Sequence, residues 1–192
     1  MPRHQIVLDL ETKHTFDEVD GRKPELLGVS LVGIYRYRTQ DYKAYTEHEF
    51  VELENELGQC SRIIGFNIRR FDVPVLKPHL NKLDLGKIPC FDLMEDIENK
   101  LGHRISLESA SRGTFGLGKS GSGLDAIVYY RQGEMEKLKQ YCLDDVRLTK
   151  DLYEFGKQEG KIYYLSKNGQ NRLSLDVQWR DPDPPANLSL FD

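Results

Sequence analysis

Hydrophobic and polar positions alternate in three closely spaced runs at the start of the chain. "QIVLDLET" is a short β run, and "LLGVSLVGIYRY" and "DYKAYTEHEF" are two more, joined by a turn around Thr39 to Asp41, so the sheet is expected to open as a meander. The period then changes. "EHEFVELENELGQC" has helical spacing, "RIIGF" is a short buried strand, and "FDVPVLKPHLNKL" returns to helical periodicity despite Pro74 and Pro78 near its start. "IPCFDL" is one more candidate strand, and from there to Tyr130 the pattern is helical with glycine breaks. "GEMEKLKQYCLDDVRLTKDLYEFGKQEG" is the clearest amphipathic helix, ending at a glycine. "KIYYLSKNGQNRLSLDVQW" is two β runs around an Asn-Gly, a hairpin signal. The proline-rich end, "RDPDPPANLSLFD", has no period. The expected organisation is one domain over residues 1–180 and a tail over 181–192, with no internal repeat.

Composition narrows the class. At 192 residues and 22.2 kDa the chain suits one α/β domain with a full core and is too short for two ordinary ones. No apolar run is long enough to span a bilayer, and "IVLDL" is too short and too acidic for a signal peptide, so a cytoplasmic protein with no membrane partner is expected. Cys60, Cys90 and Cys142 have no metal-type spacing and read as reduced structural thiols. A net charge of −4 argues against a general nucleic-acid coat. It leaves room for an enzyme that grips a few phosphates through local cations or bound metal ions.

The candidate chemistry lies in dispersed carboxylates. Asp9 and Glu11 are two apart on the first strand, so both project to one face. Such a pair must be solvated, protonated or neutralised by a cation, and a strand end reaching water explains Glu11 better than Asp9, which lies inside an apolar run. In "GFNIRRFDVPVL", Asp72 stands at a strand-loop-helix junction, where an Asp is most often an N-cap. In "YCLDDVRL", Tyr141 and Asp145 are i and i+4 on the long helix and share a face, an ordinary pairing by itself.

Taken in order, D-x-E on the first strand, N-x-x-x-F-D after a middle strand and Y-x-x-x-D on a late helix resemble the DEDD exonuclease superfamily in its tyrosine-bearing branch. The wording is especially similar to the proofreading domains of family B DNA polymerases. The resemblance covers roughly residues 5 to 155, with all five signature positions filled and no histidine in "EKLKQYCLDDV" that would mark the other branch. It implies an α/β, ribonuclease H-like fold: a five-stranded mixed sheet, its first three strands antiparallel, flanked by helices. It also implies two Mg²⁺ or Mn²⁺ ions, with Asp9, Glu11 and Asp145 on the first, Asp9 bridging, Asp72 on the second and Tyr141 orienting the attacking water. Phosphodiester hydrolysis needs such help, because two divalent ions about 4 Å apart activate water and stabilise the leaving oxygen. An all-oxygen donor set suits these hard ions. By the same analogy Asn67 and Phe71 position the terminal nucleotide, with Phe66 or Phe71 offering a stacking face; core packing is the alternative for each. Arg69 and Arg70 are candidate phosphate contacts.

Two further motifs compete for meaning. "GTFGLGKS", Gly113 to Ser120, spells a phosphate-cradling loop, but a working one follows a strand and opens a helix. Here "RISLESASRGTF" reads as a preceding helix with Ser106 as N-cap and Glu108 in its first turn. The stretch is therefore expected to be a loop beside the cleft, with Lys119 either meeting a backbone phosphate or standing in a plain surface turn. In the tail, Asn187, Leu188, Ser189, Leu190 and Phe191 resemble the bacterial sliding-clamp-binding pentapeptide Q-L-[SD]-L-F, Asn187 replacing the Gln. That resemblance implies a bacterial clamp partner, which would raise the local concentration of a weak DNA binder, and tips the expected substrate to single-stranded DNA 3′ ends. A 3′→5′ exoribonuclease and a non-catalytic scaffold are the rival readings.

Overall fold

In the computed structural model, which describes residues 4–118 and 121–181, the first alternating run is the central strand β1 (Gln5–Thr12). It pairs antiparallel with β2 (Val29–Arg36), which pairs antiparallel with β3 (Asp41–Tyr45); on its other edge β1 runs parallel to β4 (Arg62–Gly65), and β4 to β5 (Cys90–Asp92). The order β3-β2-β1-β4-β5 is the five-stranded mixed sheet that the resemblance implies. The third run is extended only as far as Tyr45, because Thr46 and Glu49 then form a capping box ahead of helix α1 (Phe50–Gln59).

Alternation along β1 sorts its side chains between two layers. Ile6, Leu8 and Leu10 join the core under α1 and α2 (Asp72–Leu76). Val7 joins Ile64, Val146, Leu152 and Tyr153 in the core on the other face, beneath α6 (Met135–Glu159). The same period places Asp9 and Glu11 on the α6 side. Helix α2 is shorter than its sequence period predicts, since Pro78 passes the chain into a 3₁₀ turn at Lys77–His79.

Three helices link β5 to α6: α3 (Leu93–Leu101), α4 (Leu107–Phe115), capped by Ser106, and α5 (Gly123–Arg131). After α6 ends at Gly160 in the left-handed conformation, β6 (Lys161–Leu165) and β7 (Arg172–Asp176) form the expected separate hairpin. Gly113, the first glycine of the phosphate-loop spelling, lies inside α4 against β6, where any Cβ would overlap the Tyr164 backbone. That glycine serves helix-hairpin packing.

The segment after the hairpin is strapped down. Trp179 is buried against Gly156, stacks on Tyr153 at 6.3 Å, and donates its indole N–H to Asp96 at 2.7 Å. Asp181 accepts from Gln5 Nε2 at 3.0 Å and from Tyr153, so it is anchored to the domain although its sequence reads as the first residue of the tail.

Candidate active site

The parallel ladder between β1 and β4 ends at Val7 and Ile64. Beyond it β1 continues beside β2 alone, with Asp9 opposite Gly33 and Glu11 opposite Leu31, so the two acids project past the carboxyl end of β4. Gly33 matters for what faces them. A Cβ there would sit 2.8 Å from Cys142 Sγ and 3.1 Å from Val146 Cγ2, so only glycine lets α6 lie this close to the acidic end of β1.

Where β4 stops, the Leu10 amide lacks a strand partner on that edge, and Asp72 Oδ1 accepts it at 3.2 Å. Asp72 is therefore the first residue of α2, 3% exposed and turned toward β1, whereas Phe71 occupies the cap position. The loop that delivers it is organised by a carboxylate that pattern reading passed over. Asp92, 4% exposed at the end of β5, accepts from the amides of Asn67 (2.9 Å), Arg69 (3.0 Å), Met94 (3.0 Å) and Glu95 (3.3 Å). It caps α3 and fixes the 67–69 turn together. Asn67 takes a left-handed φ of 65°, which Asn tolerates better than most residues, and this sends the chain back toward β1.

On α6, Tyr141, Cys142 and Asp145 are all buried. Burial first, then the charges of Asp145, Glu11 and Asp9, push the Tyr141 hydroxyl well above its ordinary value, so it is a neutral phenol that donates a hydrogen bond. Cys142 donates to the Asp9 carbonyl at 3.7 Å, and burial likewise holds its thiol protonated. Burial raises Cys60 to about 11 and Cys90 to about 12, so all three cysteines are inert, free thiols.

Asp9, Glu11, Asp72, Asp145 and Tyr141 all line one cleft of about 430 Å³, with Phe66 and Phe71 on its wall. Carboxylate oxygens of Asp9 and Glu11 and the Cys142 sulfur lie within 4.8 Å of one another. The carboxylate oxygens gathered here are hard donors that fit Mg²⁺ or Mn²⁺, and a lone buried thiol beside them makes a poor zinc site. Gathering so many acids in one cleft is costly without such a cation.

The other candidates fall in different places. Asn67 Oδ1 accepts from Arg104 Nη2 at 2.7 Å, beside the cleft. Arg69 and Arg70 turn to α3, pairing with Glu95 at 3.0 Å and Glu98 at 2.7 Å, and neither lines the cleft. Lys119 lies outside the described residues, as do Asn187, Leu188, Ser189, Leu190 and Phe191. The described end of the glycine loop does reach the site: a Cβ on Gly121 would stand 3.5 Å from Tyr141 Cε2, and Ser122 and Leu124 line the cleft. Sequence reasoning missed Asp92, Arg104, Ser122 and Leu124. Only Asp92 carried a signal, the D-x-x-E spacing to Glu95 at the start of a helical run.

Residues 6–155 match the sequence profile of the RNase_H superfamily. No curated protein matches the sequence. Among solved structures, the family B DNA polymerase from the hyperthermophilic archaeon Pyrobaculum calidifontis superposes with a TM-score of 0.61 at 18% identity. The match covers 81% of this chain and 25% of the polymerase, so the chain spans about a quarter of that protein's length and the likeness is one of fold.

Proposed function

The chain belongs to the RNase_H superfamily, and from that premise we propose that it is a metal-dependent 3′→5′ exonuclease of the tyrosine-bearing DEDD kind. Its substrate in this reading is a single-stranded or frayed 3′ end of DNA, and the tail motif recruits it to a bacterial sliding clamp. The observation that carries the reading is the convergence of Asp9, Glu11, Asp72, Asp145 and Tyr141, from three separate elements, on one cleft. Asp9, Glu11 and Asp145 would hold one divalent ion and Asp72 a second, with Asp9 contributing to both. A divalent-ion pair bound there would supply Lewis-acid activation of water and charge stabilisation at the leaving oxygen. The protein's own work is positional. Asp72 is held to β1 by the Leu10 amide, Asp145 and Tyr141 by the close approach of α6 at Gly33. The Tyr141 hydroxyl orients the attacking water, and Phe66 and Phe71 offer ring faces to the terminal base.

The test is digestion of 3′- and 5′-labelled DNA and RNA strands in Mg²⁺ or Mn²⁺, beside Asp9→Ala. Stepwise release of nucleotides from the 3′ end of DNA, absent in the variant, is the expected result. Release from RNA alone would reassign the substrate, and release from neither polymer would leave a binding scaffold. For the tail, deleting residues 187–192 should abolish co-elution with a bacterial clamp while digestion of free oligonucleotide persists.

A further inference from the structure

The cleft does not end at the acids. Phe66 and Ser122 also line a second groove of about 800 Å³. Arg104, Ile105 and Ser106 line that groove and a third of about 570 Å³, which runs between the start of α4 and the β6–β7 hairpin. Along this path the charge reverses. The cleft is acidic, whereas the third groove presents His103, Arg104 and Lys167 and no acid among the described residues. Glu108, the one acid described in the second groove, is ion-paired with Arg112 at 2.7 Å. None of His103, Arg104 and Lys167 is in an ion pair among the described residues, although Arg69 and Arg70 next to the path both are. Phe66 stands at the cleft end, and the largely buried Tyr164 lines the hairpin end.

We infer that the three grooves form one track for a single polynucleotide strand, in which the hairpin and the 103–106 segment hold the phosphates behind the terminal nucleotide. The inference rests on the exonuclease reading for what occupies the cleft, and it gives the C-terminal hairpin a binding task. Arg104 is the pivot. Its Nη2 donates to Asn67 Oδ1 at 2.7 Å and its Nε to Met94 Sδ at 3.1 Å, so its guanidinium is held where the second and third grooves meet. A single strand is the expected occupant, because cationic side chains leading to an aromatic ring at the cleft suit a backbone whose terminal base is unstacked.

Binding and turnover separate this inference from the reading beneath it. Anisotropy of a fluorescent hexathymidylate in Ca²⁺ reports the track without hydrolysis. A Lys167→Glu, His103→Ala double variant, exposed at both positions, is expected to bind it more weakly. The slope of log K against log salt should fall by about 0.7 for each phosphate that the variant no longer neutralises. Circular dichroism checks that the variant is folded, and Lys167→Ala alone serves as the milder form. In Mn²⁺, the ratio of kcat/KM for the hexanucleotide over that for a nitrophenyl ester of thymidine monophosphate should collapse in the variant. Unchanged affinity and salt slope would overturn the track whatever the turnover shows, and so would a blunt duplex competing as well as the single strand. Failure of the wild-type chain to hydrolyse either substrate would overturn the exonuclease reading while the binding arm still decides the track.

Discussion

Replacing Asp92 with Ala tests whether one carboxylate fixes both a helix and the site loop. Losing an N-cap costs about 1 kcal/mol. The amides of Asn67 and Arg69 each lose a charge-assisted bond at about 1.5 kcal/mol, for a sum of about 4 kcal/mol. Water can reach Arg69, which is exposed, and recovers part of this, leaving about 3 kcal/mol. With a urea slope of about 2.5 kcal/mol/M for a domain of this size, the unfolding midpoint should drop by about 1 M. Asp92→Asn separates the two roles. An amide oxygen at Oδ1 keeps the bonds from Asn67, Met94 and Glu95, while its NH₂ faces the Arg69 amide, donor against donor, so the loss should be about half as large. Because Phe71 and Asp72 hang from this loop, nuclease turnover should fall about tenfold or more in the Ala variant at temperatures where it remains folded. Equal midpoints for wild type and Ala, or an Asn variant less stable than Ala, would refute this account of Asp92.

Other outcomes follow from the same geometry. Gly156→Ala should expel the only tryptophan from its stack on Tyr153, read as a red shift in emission and a loss of about 2 kcal/mol. Unshifted emission would mean that the strap tolerates the extra methyl. Asp72→Asn keeps an acceptor for the Leu10 amide, so melting should change little while turnover drops by about a hundredfold or more; full turnover would remove Asp72 from the proposed metal site. Asp41 is held at about 2, below its ordinary 3.8, chiefly by its hydrogen bond from Arg36. A depressed carboxyl stabilises the fold above its unfolded value and loses that contribution as pH falls through its folded one. The melting difference between wild type and Asp41→Asn should therefore be constant above about pH 4 and close toward pH 2. It should be small throughout, because the Asp41 side chain is 44% exposed.

Features set by near neighbours were open to pattern reading. The meander, the capped α4 and the glycine-terminated α6 all depend on periodicity and end signals within a few residues. Asp9 with Glu11 and Tyr141 with Asp145 were legible as pairs for the same reason, since strand and helix periods fix which side chains share a face. Asp72 shows the limit. It reads as a cap, and it is turned to β1 because a strand elsewhere in the chain ends early enough to leave the Leu10 amide for it. Asp92 was illegible as a loop anchor because two of its amide partners lie 25 and 23 residues upstream. Gly33 and Gly113 look like ordinary turn or breaker glycines in sequence. Their reason is the close approach of α6 in one case and β6 in the other, which no local pattern encodes.

The spread of the acids over β1, α2 and α6 has a consequence for how the protein is made. A chain emerging from the ribosome presents Asp9, Glu11 and Asp72 early, but Tyr141 and Asp145 arrive only with the long helix near the end of the domain. At a synthesis rate of about 5–20 residues per second, several seconds separate the two. During that interval the nascent chain holds only part of the five-residue set, so on the proposed reading its activity waits for α6.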